Sequence, residues 1–272
     1  MNMKQFLICL AFIGFITNAS YSQTKIGRAE DSLNKDRGGS NDSDDDDDEN
    51  GGFFLETFGE IIAQAFFYVG YYTLIGPSDE EEPINNSALT KYPYNNANKG
   101  NYTYSLDENY STFRTEFTGR YISESNSLKG MHLNAEMRFA KRIGVDLDYH
   151  QLWEKNPDLG NDHLALYNVM AKYYRVRTEK IELYWGIGTT YVDGEVDRIG
   201  LSYGVGSEFF FAKPLSFETN FSQAFINSET INKFNVLLNY HIDQYKVLGG
   251  YEYIKIGSER FSSITLGVGV FF

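Results

Sequence analysis

The chain has 272 residues, a formal net charge of −13 and an aromatic content of 16%, with 21 Tyr and 21 Phe. An acidic chain with no basic footprint excludes nucleic acid as a partner. Its single cysteine, Cys9, lies in the first apolar run, so disulfides, thiolate metal sites and cysteine nucleophiles are excluded downstream.

The first predicted element is a secretory signal peptide over residues 1–22. Lys4 makes a positive start and Phe6 to Ile16 is an unbroken apolar run. Ser20 and Ser22 put small residues three and one positions before a cut that leaves Gln23 first. The run is too short to span a bilayer core of about 30 Å as a helix. Leu7-Ile8 ahead of Cys9 is unlike a lipoprotein acylation site. Residues 23–52 are polar and Gly/Ser/Asp-rich, with an acidic run of Asp42, Asp44 to Asp48 and Glu49. Such a segment buries too little apolar surface to offset its ordering entropy, so a disordered acidic leader is expected. The run lacks the Gly and distal Glu of an EF-hand loop and reads as a solvated spacer.

Residues 53–76 differ. Glu56, Glu60 and Gln64 recur every four residues among Phe54, Leu55, Phe58, Ile61, Ile62, Phe66 and Phe67. That spacing predicts an amphipathic helix, stopped by Gly76-Pro77. Its uncharged part, Ile61 to Ile75, would be about 22 Å long, shorter than a bilayer core. The helix is therefore expected to lie on a membrane surface, or to dock against its own chain, and to be where a periplasmic protein partner binds. The alternative is one or two extra strands, since Phe66 to Tyr72 is rich in aromatics. Residues 77–110 read as a polar linker.

From 111 to 272 the pattern is alternation, which predicts an all-β, up-and-down antiparallel barrel of about ten transmembrane strands. The expected spans are 111–123, 129–141, 143–154, 162–176, 180–192, 196–211, 214–226, 231–242, 244–255 and 259–272. Ile264, Leu266, Val268, Val270 and Phe272 share one face of the last; Ser263, Thr265, Gly267 and Gly269 share the other. Tight joints at Lys141-Arg142, Thr178-Glu179, Lys213-Pro214 and Asp243-Gln244 alternate with looser polar loops. The tight set is expected in the periplasm, with the N-terminal extension, and the looser set outside. Bulky aromatics on the apolar face point to lipid, and Gly, Ser, Asn and charges on the other point to a lumen. A soluble β-sandwich is the competing reading of any single strand.

The closing Val268-Gly269-Val270-Phe271-Phe272 resembles the last strand of bacterial outer-membrane β-barrel proteins. There the terminal Phe is read by the barrel-assembly machinery, so the resemblance implies that Phe272 is an assembly signal, that outer-membrane lipid surrounds the barrel and that the protein is porin-like in build. A monomer is expected.

The predicted lumen carries Arg114, Glu116, Arg120, His132, Glu136, Arg138, Asp146, Asp148, His150, Lys172, Glu182, Glu208, Glu218, His241, Lys246 and Glu252. A ten-strand barrel is little wider than an eight-strand one, whose side chains fill it. Unpaired charges there would be costly, so a paired network closing the lumen is expected. Asp146, Asp148 and His150 point inward from one strand and are catalytic candidates, because a carboxylate can orient a histidine base. Strand number and these residue types are similar to the omptin-type outer-membrane proteases, but long outer loops and a serine motif are lacking. No cofactor is expected, and no metal, since nothing in the sequence fixes the mutual distances of His132, His150 and His163. The expected role is structural, anchoring or interaction-based. A narrow pore for small solutes is the alternative, and a barrel hydrolase the third reading.

Overall fold

A computed structural model describes residues 23–34, 87–95, 99–105, 110–139, 141–157, 160–227 and 229–272. The predicted signal peptide and the predicted helix at 53–76 lie outside the described residues. Ten antiparallel strands close into a barrel: β4 (Phe113–Ser123), β5 (Leu128–Phe139), β6 (Ile143–Asn156), β7 (Gly160–Arg177), β8 (Ile181–Asp193), β9 (Arg198–Ala212), β10 (Leu215–Ile226), β11 (Glu229–Ile242), β12 (Tyr245–Ile256) and β13 (Glu259–Phe271). Each pairs with its chain neighbours, and β13 closes the ring on β4 through Val268↔Gly119 and Phe271↔Glu116. Strand number, order and boundaries follow the alternation read from the sequence.

The two faces separate as expected. Leu201 is 72% exposed and Ile264 69%, whereas the inward Thr265 is fully buried. Outward aromatics gather at two levels. Phe113 packs with Phe139, Phe117 with Phe272 and Tyr173 with Trp185 toward the tight turns. Tyr149, Tyr167 and Tyr191 form a row toward the looser loops, with Tyr203 against Phe225. Leu133, Leu147, Val169, Ile187 and Leu238 fill the band between. An aliphatic band between two aromatic girdles is the outer-face pattern of transmembrane β-barrels.

Both mouths are covered by parts of the chain that composition had placed outside any fold. Within the expected disordered leader, Lys25–Asn34 form α1. The Thr24 hydroxyl caps it, accepting a bond from the Gly27 N–H at 3.0 Å. Ile26, Ala29 and Leu33 recur at helical spacing and are fully buried. They pack onto an apolar collar lining the loop-end mouth: Leu128, Leu152, Leu164, Val192, Ile226, Ile231, Ile256 and Phe261. A ten-residue helix is marginal alone, so this collar is what makes it fold.

Within the expected polar linker, β1 (Ala88–Thr90), β2 (Tyr102–Thr103) and β3 (Tyr110–Ser111) form a small sheet in the order β2-β1-β3. It closes the turn-end mouth. The Gly100 N–H donates to the Glu179 carbonyl at 2.7 Å and the Tyr102 hydroxyl to that of Lys141 at 3.2 Å. Strands of two or three residues are too short to show a period, which is why the sequence reads as linker. The described parts of the N-terminal extension thus lie at opposite mouths, contrary to the expectation that it lies on one side.

Candidate functional site

The lumen is layered. Below the apolar collar lies a charged belt around a cavity of about 100 Å³, and below that the plug of β1–β3. Strand alternation puts the belt residues inside, and glycines opposite long side chains make room for them. At Gly206 a Cβ would lie 2.2 Å from Asn220 Oδ1 and 2.6 Å from the Tyr184 ring.

The charges expected inside are inside, and they pair. Arg138 donates to both Glu182 oxygens at 2.6 and 2.7 Å and to Glu136 at 2.5 Å. Lys172 bridges Glu136 at 2.7 Å and Asp146 at 2.6 Å. Lys246 pairs with Glu116 and reaches Glu218 at 3.6 Å. Arg120 pairs with Glu252 at 3.1 Å. Glu208 accepts from Ser216 at 2.6 Å and from Asn101 of the plug at 2.9 Å. Arg114 donates to Asn101 Oδ1 at 2.7 Å and to the Thr90 carbonyl at 3.2 Å, so it ties belt to plug. Two ring contacts brace the cations: Arg138 lies 4.3 Å from the Tyr174 centroid and Lys172 4.3 Å from that of Tyr184. Phe272 lies outside this network, on the outer surface at the turn end.

The expected catalytic group is dispersed. Asp146 is held by Lys172 and by Asn134 at 3.1 Å. Asp148 is bound by His132 and Lys233. His150 is 1% exposed, and neither ring nitrogen has a hydrogen-bond partner. It therefore has no hydrogen-bonded carboxylate to orient it and does not reach the rim. Ser216 Oγ meets His241 Nε2 at 2.8 Å, but both are buried, Tyr94 packs against His241, and His241 Nδ1 has no partner. Burial and Glu208 push the Tyr94 phenol itself up to about 12.

No family model and no curated protein matches the chain. Solved structures similar to it include outer-membrane β-barrel proteins. The Yersinia pestis protein Ail shares 16% identity over 60% of this chain and 100% of that one, with a TM-score of 0.35. OprG of Pseudomonas aeruginosa shares 14% over 62% and 99%, TM-score 0.33. KdgM porin shares 9% over 58% and 98%, TM-score 0.36. With TM-scores under 0.5 these likenesses decide nothing about role.

Sequence reasoning missed Lys233, although its position opposite the inward Ser222 gives it the parity of the lumen. It also missed Asn101, whose place depends on the plug. The α1 face was legible in Thr24, Ile26, Ala29 and Leu33, but the surrounding polar composition outweighed it.

The two mouths are fastened differently. At the loop end α1 touches the connections at Glu124, Glu195, Asn227 and Gly257 and the loop end of β6. Lys25 pairs with Glu124 at 2.6 Å and Arg28 with Glu259 at 2.8 Å. The Ile26 N–H donates to Glu154 at 2.9 Å, the Glu195 N–H to Glu30 at 2.8 Å and the Asn227 amide to the Leu33 carbonyl at 2.8 Å. Gly257, at φ +56°, would place a Cβ 1.9 Å from Ser32 Oγ, so only glycine permits that turn to approach. Burial raises the Glu30 carboxyl from 4.5 to about 6, with Glu195 and Asp162 adding repulsion against the Glu195 N–H and His163.

Proposed function

We propose that the chain is a closed barrel of the bacterial outer membrane with a structural, anchoring or interaction role. The observation that carries this reading is that both mouths are covered by its own N-terminal segments around a lumen of paired charges. A conduit needs a continuous wet path, and here an apolar collar with α1 interrupts it at one end and a hydrogen-bonded plug at the other. The girdled outer surface supports lipid as the surrounding solvent, and the outward, terminal Phe272 supports delivery by the barrel-assembly machinery.

With tight turns in the periplasm, as bacterial barrels place them, the plug is periplasmic and α1 sits at the outer mouth. Signal cleavage after Ser22 suits this arrangement, because it leaves Gln23 just ahead of the cap residue Thr24. A periplasmic protein is then to be met through residues 53–76 or the plug surface.

The test is electrophoretic mobility of the detergent-solubilised protein, boiled and unboiled, beside conductance in planar bilayers. A heat-modifiable band without discrete conductance is expected. Discrete steps would overturn the closed reading in favour of a narrow pore, and recovery as a soluble periplasmic protein would overturn the membrane assignment.

A further inference from the structure

At the upper edge of the charged belt, His132 of β5, His150 of β6 and Glu252 of β12 converge, although Glu252 is far from the others in sequence. All three are buried, and one ligand atom from each lies within 4.8 Å of the others. His132 Nδ1 is 3.0 Å from Glu252 Oε2 and His150 Nδ1 is 3.9 Å from the same oxygen.

Two observations point to a missing cation. First, His150 is a polar ring with neither nitrogen bonded, facing this cluster from full burial. A satisfied structural histidine would have a partner, and an apolar residue would fill the space without the desolvation cost. Second, two carboxylates converge on the His132 ring beside His150, Glu252 at Nδ1 and Asp148 at Nε2. Charge points the same way: the cavity is lined by eight carboxylates and only five Lys or Arg side chains.

We propose that His132, His150 and Glu252 bind a divalent transition-metal ion of the zinc class inside the barrel. Two imidazoles and a carboxylate are the donor set such ions take, with a water completing four ligands. Ligands of a tetrahedral site stand about 3.3 Å apart for bonds of about 2.0–2.1 Å, so the widest separation in the cluster closes by about 1.5 Å around the ion. His132 is already oriented: its Nε2 contacts Asp148, which Lys233 holds in turn. That is the carboxylate–histidine support usual behind metal-bound imidazole. Arg120 yields the space beside His132 Nδ1 and keeps Glu252 Oε1. Because both mouths are covered, the ion is loaded as the barrel folds.

The full chain is refolded from denaturant into detergent micelles with and without cobalt(II) chloride, then freed of excess metal. One Co²⁺ per chain, with the visible absorption of a four-coordinate nitrogen/oxygen site, is expected. His150→Leu should keep the heat-modifiable folded band, since no hydrogen bond is lost, and abolish that absorption. Asp148→Asn should weaken binding about 10- to 100-fold, Arg120→Gln should tighten it, and His163→Ala at the loop end should leave it unchanged. A folded wild-type protein without stoichiometric Co²⁺, or a folded His150→Leu that binds like wild type, overturns the proposal. If His150→Leu does not fold, Glu252→Gln is read in the same way.

Discussion

The two mouths of the barrel are fastened by different means. At the loop end α1 brings three fully buried apolar side chains to an apolar collar, and its polar contacts ring the rim. At the turn end the plug buries Ala88, Leu89, Tyr94 and Tyr102 together with polar side chains, is continuous with β4, and is fastened from within by the guanidinium of Arg114. Hydrophobic docking is non-directional and leaves a cap that can be released as a unit. Buried hydrogen bonds to a charge are directional and costly to break singly. The loop-end closure is therefore a separable cap, whereas the plug belongs to the barrel itself.

The largest effect should come from the plug. Arg114→Ala removes a charged donor from two buried acceptors and is expected to cost about 3 kcal/mol of global stability, read as a lowered urea midpoint of the heat-modifiable band. Next is Leu33→Asp, which forfeits about 2–3 kcal/mol of apolar burial and should release α1. Hydrogen exchange at 25–34 should rise to that of free chain while the barrel keeps its midpoint. Equal losses of global stability in both variants would erase the distinction between cap and plug.

Smaller effects sharpen the description of the rim. Arg28→Ala breaks a part-exposed pair with Glu259 and is expected to weaken α1 docking by about 0.5–1 kcal/mol at low salt and less at high salt, measured by the same exchange. The rim also responds to pH. The docked Glu30 carboxyl, at about 6 against 4.5 when free, binds its proton more tightly than the undocked one. Docking through this group should therefore strengthen as pH falls from 7 through 6 and level off below 4.5. Glu30→Gln should flatten that dependence, and a docking strength that rises with pH would contradict it.

Much of the barrel was legible because period two is a strong signal and lipid selects bulky aromatics on one parity. The ten strands, the tight turns near 141, 213 and 243, and the inward set from Arg114 to Glu252 all follow from that. The apolar collar was not legible. Leu152 and Phe261 are apolar residues on the lumen parity, and alternation alone does not say that the inside becomes apolar near one mouth. The pairing of Asp148 with His132 rather than with its strand neighbour His150 was equally hidden, because side chains of one parity on one strand do not meet when adjacent strands offer closer partners.

By itself, then, the sequence determined an alternating, aromatic-girdled barrel with a charged interior, since each strand's two environments are written in its own residues. Only the tertiary structure decided what closes that interior. The helix at 25–34 and the short strands at 88–90, 102–103 and 110–111 are too small to fold on local preference and exist because the barrel offers each mouth a matching surface. The meeting of His132, His150 and Glu252 likewise required closure of the ring, which alone brings β12 to β5 and β6.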